Sequence, residues 1–225
     1  SSDLRGETIA FIGATGCGKS TLVNLIPRFY DVSEGEILIN GINVKEYDQK
    51  ALRNKFGYVS QKATLFEGTV QSNVAFGENG KGTQGLETVM DAVQIAQASE
   101  FVEKMDNSYE AHVAQGGTNL SGGQKQRLSI ARAIARRPEV LIFDDSFSAL
   151  DYKTDRQLRS ILKKETIGTT LLIVAQRIGT IKDADKIIVL EEGRIVGMGS
   201  HNELMENCEV YQEIAYSQLS KEELA

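Results

Sequence analysis

The sequence predicts an α/β fold with a mostly parallel sheet, a small antiparallel β piece and an inserted α-helical subdomain, and three observations carry that prediction. Apolar runs at 8–12, 140–143 and 169–175 are continuous, as strands buried on both faces of a parallel sheet must be. The first run leads directly into Gly13-Ala14-Thr15-Gly16-Cys17-Gly18-Lys19-Ser20-Thr21, which fits G-x-x-x-x-G-K-[ST] at every fixed position and continues into helical apolar spacing. Through the middle of the chain the strand rhythm gives way to helical patterns.

Strand, glycine-rich loop and helix in that order are the opening of a P-loop NTPase core. The glycines let the backbone wrap closely around an anion, with N–H groups and the positive end of the following helix facing it. Lys19 supplies a point charge for β- and γ-phosphates, and the Ser20 hydroxyl a Mg²⁺ ligand. Cys17 reads as a small loop filler, with a reactive thiol beside Lys19 as the second reading. Cys208 is the only other cysteine, which argues against a disulfide scaffold and for a reducing compartment.

At 225 residues and 41% hydrophobic composition, the chain is long enough for one large core and a smaller subdomain. A net charge of −6 provides no overall basic field for a nucleic acid. Apolar runs stop well short of the roughly 20 residues that cross a bilayer, and no secretory signal pattern opens the chain.

Taken in order, only residues 1–7 precede the first strand, so an N-terminal β segment is expected to be missing. Asn40-Gly41 between two apolar stretches signals a hairpin within 35–44. Residues 56–60 form a strand ending at Gln61, whose amide can donate and accept beside a γ-phosphate or Mg²⁺-bound water. A helical pattern over 66–77 (Val70, Val74), a flexible polar loop over 77–82 and an amphipathic helix from Leu86 follow. Leu120-Ser121-Gly122-Gly123-Gln124 then opens an Ala-rich helix that runs to Arg136 and Arg137 and stops at Pro138. Its start reads either as a second anion-binding helix end or as an ordinary cap.

The run 140–143 ends in Asp144-Asp145, and 169–175 ends at Gln176. Ligands in open α/β sheets bind at the carboxyl ends of strands, so these side chains should face the phosphate loop. Asp144 is placed to hold Mg²⁺ with Ser20, and Asp145 to orient or deprotonate a water. A strand over 186–190, a turn at 191–194 into a terminal hairpin and a closing helix from His201 complete the chain. The expected division is a core of 1–66 and 138–225 with a helical subdomain over 67–137.

With these residues in place, the order phosphate loop, Gln61, Leu120–Gln124, Asp144 and Ser148-Ala149-Leu150-Asp151 resembles the nucleotide-binding domain of an ABC transporter, over nearly the whole chain. Residues 61–70 and 115–119 are similar to those of exporter-type members. The resemblance implies ATP and Mg²⁺ as cofactors and head-to-tail pairing with a second such domain. Each ATP then lies between one domain's phosphate loop and the other's Leu120–Gln124, with Ser148–Asp151 as the loop at the dimer contact. Transmembrane domains would contact the region around Gln61, and the chain would sit at the cytoplasmic face of the cell membrane.

Three departures from the family pattern sharpen the expectation. No aromatic precedes Phe11 to stack on adenine, so ATP binding should be weakened. The family's glutamate base is Asp145, shorter by one methylene, about 1.5 Å. Its histidine at the γ-phosphate is Gln176, which can donate a hydrogen bond but cannot become cationic. Together these imply a domain that binds ATP, hydrolyses it slowly, and with its intact signature serves a non-identical partner. The rival readings are a nucleotide-gated clamp without useful turnover and a soluble ABC ATPase acting on DNA or ribosomes. Against the DNA type, no long heptad stretch separates phosphate loop and signature.

Overall fold

The computed structural model of the chain describes residues 5–77, 80, 82 and 84–218. The chain begins with β1 (Thr8–Gly13), α1 (Lys19–Leu25), the hairpin β2 (Leu38–Ile39) and β3 (Ile42–Asn43), α2 (Gln49–Asn54) and β4 (Phe56–Val59). Next come β5 (Gly68–Thr69), α3 (Val70–Val74), α4 (Leu86–Ile95), α5 (Ser99–Val102), β6 (His112–Val113) and α6 (Gly122–Ala135). The last part comprises β7 (Val140–Asp144), α7 (Tyr152–Glu165), β8 (Thr170–Val174), α8 (Ile178–Ile181), β9 (Lys186–Glu191), β10 (Arg194–Gly199), α9 (His201–Asn207) and α10 (Glu209–Gln218).

One six-stranded sheet of order β10-β9-β1-β8-β7-β4 forms the centre, parallel throughout except for β10. Side chains alternate across it and both faces are covered, which is why its inner strands β1, β7 and β8 run apolar through successive positions. Ala10, Ile12, Leu141, Phe143, Leu171 and Ile173 face a core completed by α4, α6, α7 and α10. Ile9, Phe11, Ile142, Leu172 and Val174 face the other, with Val23 of α1 and Leu52 of α2. Phe143 is fully buried, and truncating such a side chain to Ala costs about 3–5 kcal/mol.

The hairpin turns at Asn40 and Gly41, both left-handed (φ 53° and 78°), as a two-residue turn between twisted strands prefers. Among the described residues no helix is long and apolar enough to cross a membrane.

Several elements differ from expectation. α6 ends at Ala135, with Arg136 as its cap and Arg137 left-handed, because Pro138 disfavours a right-handed residue before it. The pattern over 66–77 yields only α3, since Gly68 bends the chain (φ 152°) into β5, which pairs with β6. The closing helix is two helices, broken at Cys208 (φ −127°, ψ 101°). α7 has no counterpart in the sequence reading, although Asp151 caps it and Leu158 and Leu162 bury one stripe. Of the polar loop over 77–82, Glu78, Asn79 and Lys81 lie outside the described residues, as do Ser1 to Leu4 of the N-terminal segment.

Candidate nucleotide site

Parallel register brings the carboxyl ends of β1, β8, β7 and β4 to one edge of the sheet, and every strand-end residue singled out above arrives there. Gly13 has φ 152°, and a Cβ on it would run into the Leu190 carbonyl of β9, so glycine is required. Gly16 and Gly18 are left-handed (φ 84° and 97°), turning the loop into the start of α1. Lys19 is buried and donates from Nζ to the carbonyls of Gly13 (2.9 Å) and Ala14 (2.8 Å), bracing the loop from inside. The buried Cys17 thiol lies 3.5 Å from that ammonium.

Ser20 Oγ donates to Asp144 Oδ1 at 2.7 Å, across 124 residues of chain. The other carboxylate oxygen accepts from Tyr58 of β4 (2.9 Å). Burial, then the charge of Asp144, push the Tyr58 phenol well above its ordinary range, so it stays a donor. Nothing in the sequence reading picked out Tyr58. No local signal marks it: only strand pairing, with β4 next to β7 and Tyr58 opposite Ile142, brings it within two residues of Asp144.

Asp145 is left-handed (φ 49°), with its N–H on the Val174 carbonyl (2.9 Å) and its own carbonyl on Ser148 Oγ (2.7 Å). Its Oδ2 accepts from both Gln61 Nε2 (2.9 Å) and Gln176 Nε2 (2.8 Å). Burial, then Asp144, raise its pKa, opposed by the hydrogen bond from Gln176 and by the charges of Lys19 and Arg177. Gln61, Asp145 and Gln176 line one cleft of about 250 Å³ with Thr15, Gly16, Gly18, Lys19, Ser20 and Thr21. Gly13, Ala14 and Cys17 do not line it. A larger cleft of about 660 Å³, between α4, α6 and α7, holds none of the motif residues, so size does not select the site.

The residues Leu120–Gln124 stand apart from that cleft. Ser121 caps α6, taking the Gln124 N–H on Oγ (3.3 Å) while Gln124 Oε1 takes the Ser121 N–H (2.8 Å). The cap reading of this helix start is the one the geometry shows, a capping box, with the neighbouring Gly122 facing open space. Gly123 adjoins the Ala149 carbonyl, 3.7 Å from where a Cβ would stand, which sets the signature beside Ser148–Asp151. Leu150 is buried, and Asp151 caps α7 through Thr154.

α6 also reaches back toward Gln61. Buried Gln126 donates to the Ser60 carbonyl (3.2 Å), and Arg132 donates to the carbonyls of Thr64 and Asn73 and to Asn73 Oδ1 (2.8 Å each). The Arg132 guanidinium lies over the exposed rings of Phe66 and Phe76, 5.3 and 5.6 Å from their centroids.

Residues 4–148 match the family described as ABC transporter. The chain belongs to that family. It is 45% identical over 202 residues to a putative multidrug export ATP-binding/permease protein of Bacillus subtilis, covering 90% of this chain and 34% of that protein. It is 42% identical over 210 residues to an ATP-dependent lipid A-core flippase of Vibrio vulnificus, covering 93% and 36%. Among solved structures, a bacterial Atm1-family ABC exporter with ATP bound superposes with a TM-score of 0.91 at 36% identity, over 96% of this chain and 38% of that one. This ABC domain thus spans about a third of the length of its curated relatives, and those relatives bear out the exporter-type resemblance.

Proposed function

We propose that this ABC domain binds Mg-ATP in the cleft between the phosphate loop and Gln176, pairs head to tail with a second, non-identical ABC domain, and powers export through transmembrane domains. Its place would be the cytoplasmic face of the membrane. The observation that carries the catalytic part is the double engagement of Asp145. Both amides that line the cleft donate to one carboxylate oxygen, and the shorter side chain already withdraws that carboxylate by about one C–C bond, ~1.5 Å. A general base must come within roughly 2.6–3.2 Å of its proton, and its help is worth about 10²–10⁴-fold. Held back and shared between two donors, Asp145 serves poorly, and Gln176 offers a neutral amide where an imidazole could carry charge. The domain's own site is therefore slow.

Ser20, Asp144 and Gln61 supply hard oxygen donors of the kind Mg²⁺ takes. Tyr58 and Ser20 between them orient the Asp144 carboxylate. Mg²⁺ held there would neutralise phosphate charge. Head-to-tail pairing is supported by the separation of Leu120–Gln124 from the cleft: N–H groups at the start of α6 are left for another chain's nucleotide. Docking of transmembrane domains is supported by the exposed Phe66–Phe76 pair (centroids 4.4 Å apart) on the segment that follows Gln61. Residues 67–137 act as a helical subdomain against the core of 1–66 and 138–225.

The test is single-turnover Mg-ATP hydrolysis by the chain beside the double substitution Asp145→Glu, Gln176→His, after confirming that both bind ATP. A faster substituted chain supports the slow-site reading. Equal rates would make an ordinary homodimeric motor the better account.

A further inference from the structure

The backbone on either side of Gln176 is tied down by groups that belong to no phosphate-binding motif. Before it, the Ala175 N–H donates to the Phe11 carbonyl of β1 (3.1 Å). After it, Gln218 at the end of α10 donates from Nε2 to the Gln176 carbonyl (2.8 Å) and accepts the Ile178 N–H on Oε1 (2.9 Å). One side-chain amide thus meets a C=O and the N–H two residues on, much as a neighbouring strand would. An exposed glutamine at a helix end would ordinarily leave its amide in water; here both ends are committed to one three-residue segment.

α10 is in turn anchored, with Tyr211 and Ala215 buried and Tyr211 Oη 2.8 Å from His201 Nδ1. The residues that follow this segment are gripped from α7: Arg159 donates to the Gly179 carbonyl (3.1 Å), and the Thr180 hydroxyl donates to Asp155 (3.2 Å). Gln176 therefore points at Asp145 from a backbone whose position two helices determine.

We propose that Gln218 is a positioning residue for Gln176. The closing helix sets the place from which the Gln176 amide meets a γ-phosphate, so loosening the Gln218 contact lowers affinity for the triphosphate and spares the diphosphate. This rests on the reading above that Gln176 faces the γ-phosphate.

The experiment measures Mg-ATP and Mg-ADP affinity of the full chain for the parent, Gln218→Met, Gln176→Ala and the double variant. Methionine keeps length and helix propensity while removing donor and acceptor. Gln218→Met is expected to weaken ATP about three- to tenfold, the equivalent of one or two modest hydrogen bonds, with ADP unchanged. In the Gln176→Ala background it should add nothing, because the two act through one contact. Gln218→Glu, which can still accept from Ile178 but cannot donate to Gln176 at neutral pH, should weaken ATP in the same direction. If Gln176→Ala lowers ATP affinity and Gln218→Met does not, the positioning role is wrong and the site reading stands. Equal loss of ATP and ADP would mean general loosening and also overturns the proposal. If neither substitution discriminates ATP from ADP, the γ-phosphate role of Gln176 fails, and the positioning role with it.

Discussion

Replacing Tyr58 by Phe removes one oxygen atom, and it isolates what holds Asp144 in place. The phenol donates to Asp144 Oδ2 at 2.9 Å, while the ring stacks edge-on to Phe29 at 5.3 Å, a contact that Phe would keep. Hydrogen bonds to charged groups are worth about 1.5–3 kcal/mol, and the partial exposure of Tyr58 puts this one at the lower end, about 1.5 kcal/mol. Water compensates little at the freed oxygen, because Asp144 is only 8% exposed. With a urea m-value of about 3 kcal/mol/M, the unfolding midpoint should fall by about 0.5 M with m unchanged.

A second signature is pH. The folded pKa of Tyr58 is raised, so its share of stability is complete below the unfolded value of about 10 and is lost as pH rises above it. The parent should lose stability above about pH 10, and Tyr58→Phe should lose less; Tyr211 and Tyr109, also raised by burial, contribute further slope. At the site, Mg²⁺-dependent ATP affinity should drop several-fold while ATP affinity in chelator stays unchanged. An unchanged urea midpoint together with an unchanged Mg²⁺ dependence would refute the role given to Tyr58.

Other perturbations follow from the same geometry. Asp145→Asn keeps an acceptor for Gln61 and Gln176 and removes a buried charge whose raised pKa costs stability as pH climbs above about 4. It should raise the melting temperature by a few degrees at pH 7 and by less at pH 4, read by calorimetry. Arg159→Ala strands Asp155, whose side chain is 3% exposed, and should cost about 3 kcal/mol in denaturant unfolding. Adding Asp155→Asn to it should recover part of that loss. Gly13→Ala drives a methyl into the Leu190 carbonyl and should abolish ATP binding in an equilibrium assay while the far-ultraviolet circular dichroism stays α/β.

Much of the site was legible because its residues stand at strand ends, where local pattern and position coincide. Gly13–Thr21, Asp144, Asp145 and Gln176 each terminate a buried strand, and parallel pairing carries them to one edge. Tyr58 was illegible because its partner lies 86 residues away and a tyrosine within a strand looks like core. Gln126 and Arg132 sit on a helix whose pattern is amphipathic, and nothing local shows that their polar ends meet the backbone of residues 60–73. α7 was passed over because its apolar stripe is thin, Leu158 and Leu162 amid charged neighbours, and its stability comes from packing that the sequence does not display. The ends of α3 and α6 were set by Gly68 and Pro138, local signals that outrank the apolar period.

The place of β1 in the sheet has a consequence for how the protein is made. β1 carries the phosphate loop, yet its two neighbours are β8 and β9, with Ile9 opposite Leu172 on one side and Lys186 on the other. Pairings of such sequence separation are slow to form, and at about 5–20 residues per second the ribosome needs roughly 8–35 s between these partners. Through that interval the earliest-synthesised motif has no sheet to stand on, and chaperone contact with its apolar strand is to be expected. A nascent chain halted before residue 170 should carry Gly13–Thr21 in full and still retain no ATP, so the capacity to bind nucleotide is among the last properties this domain acquires.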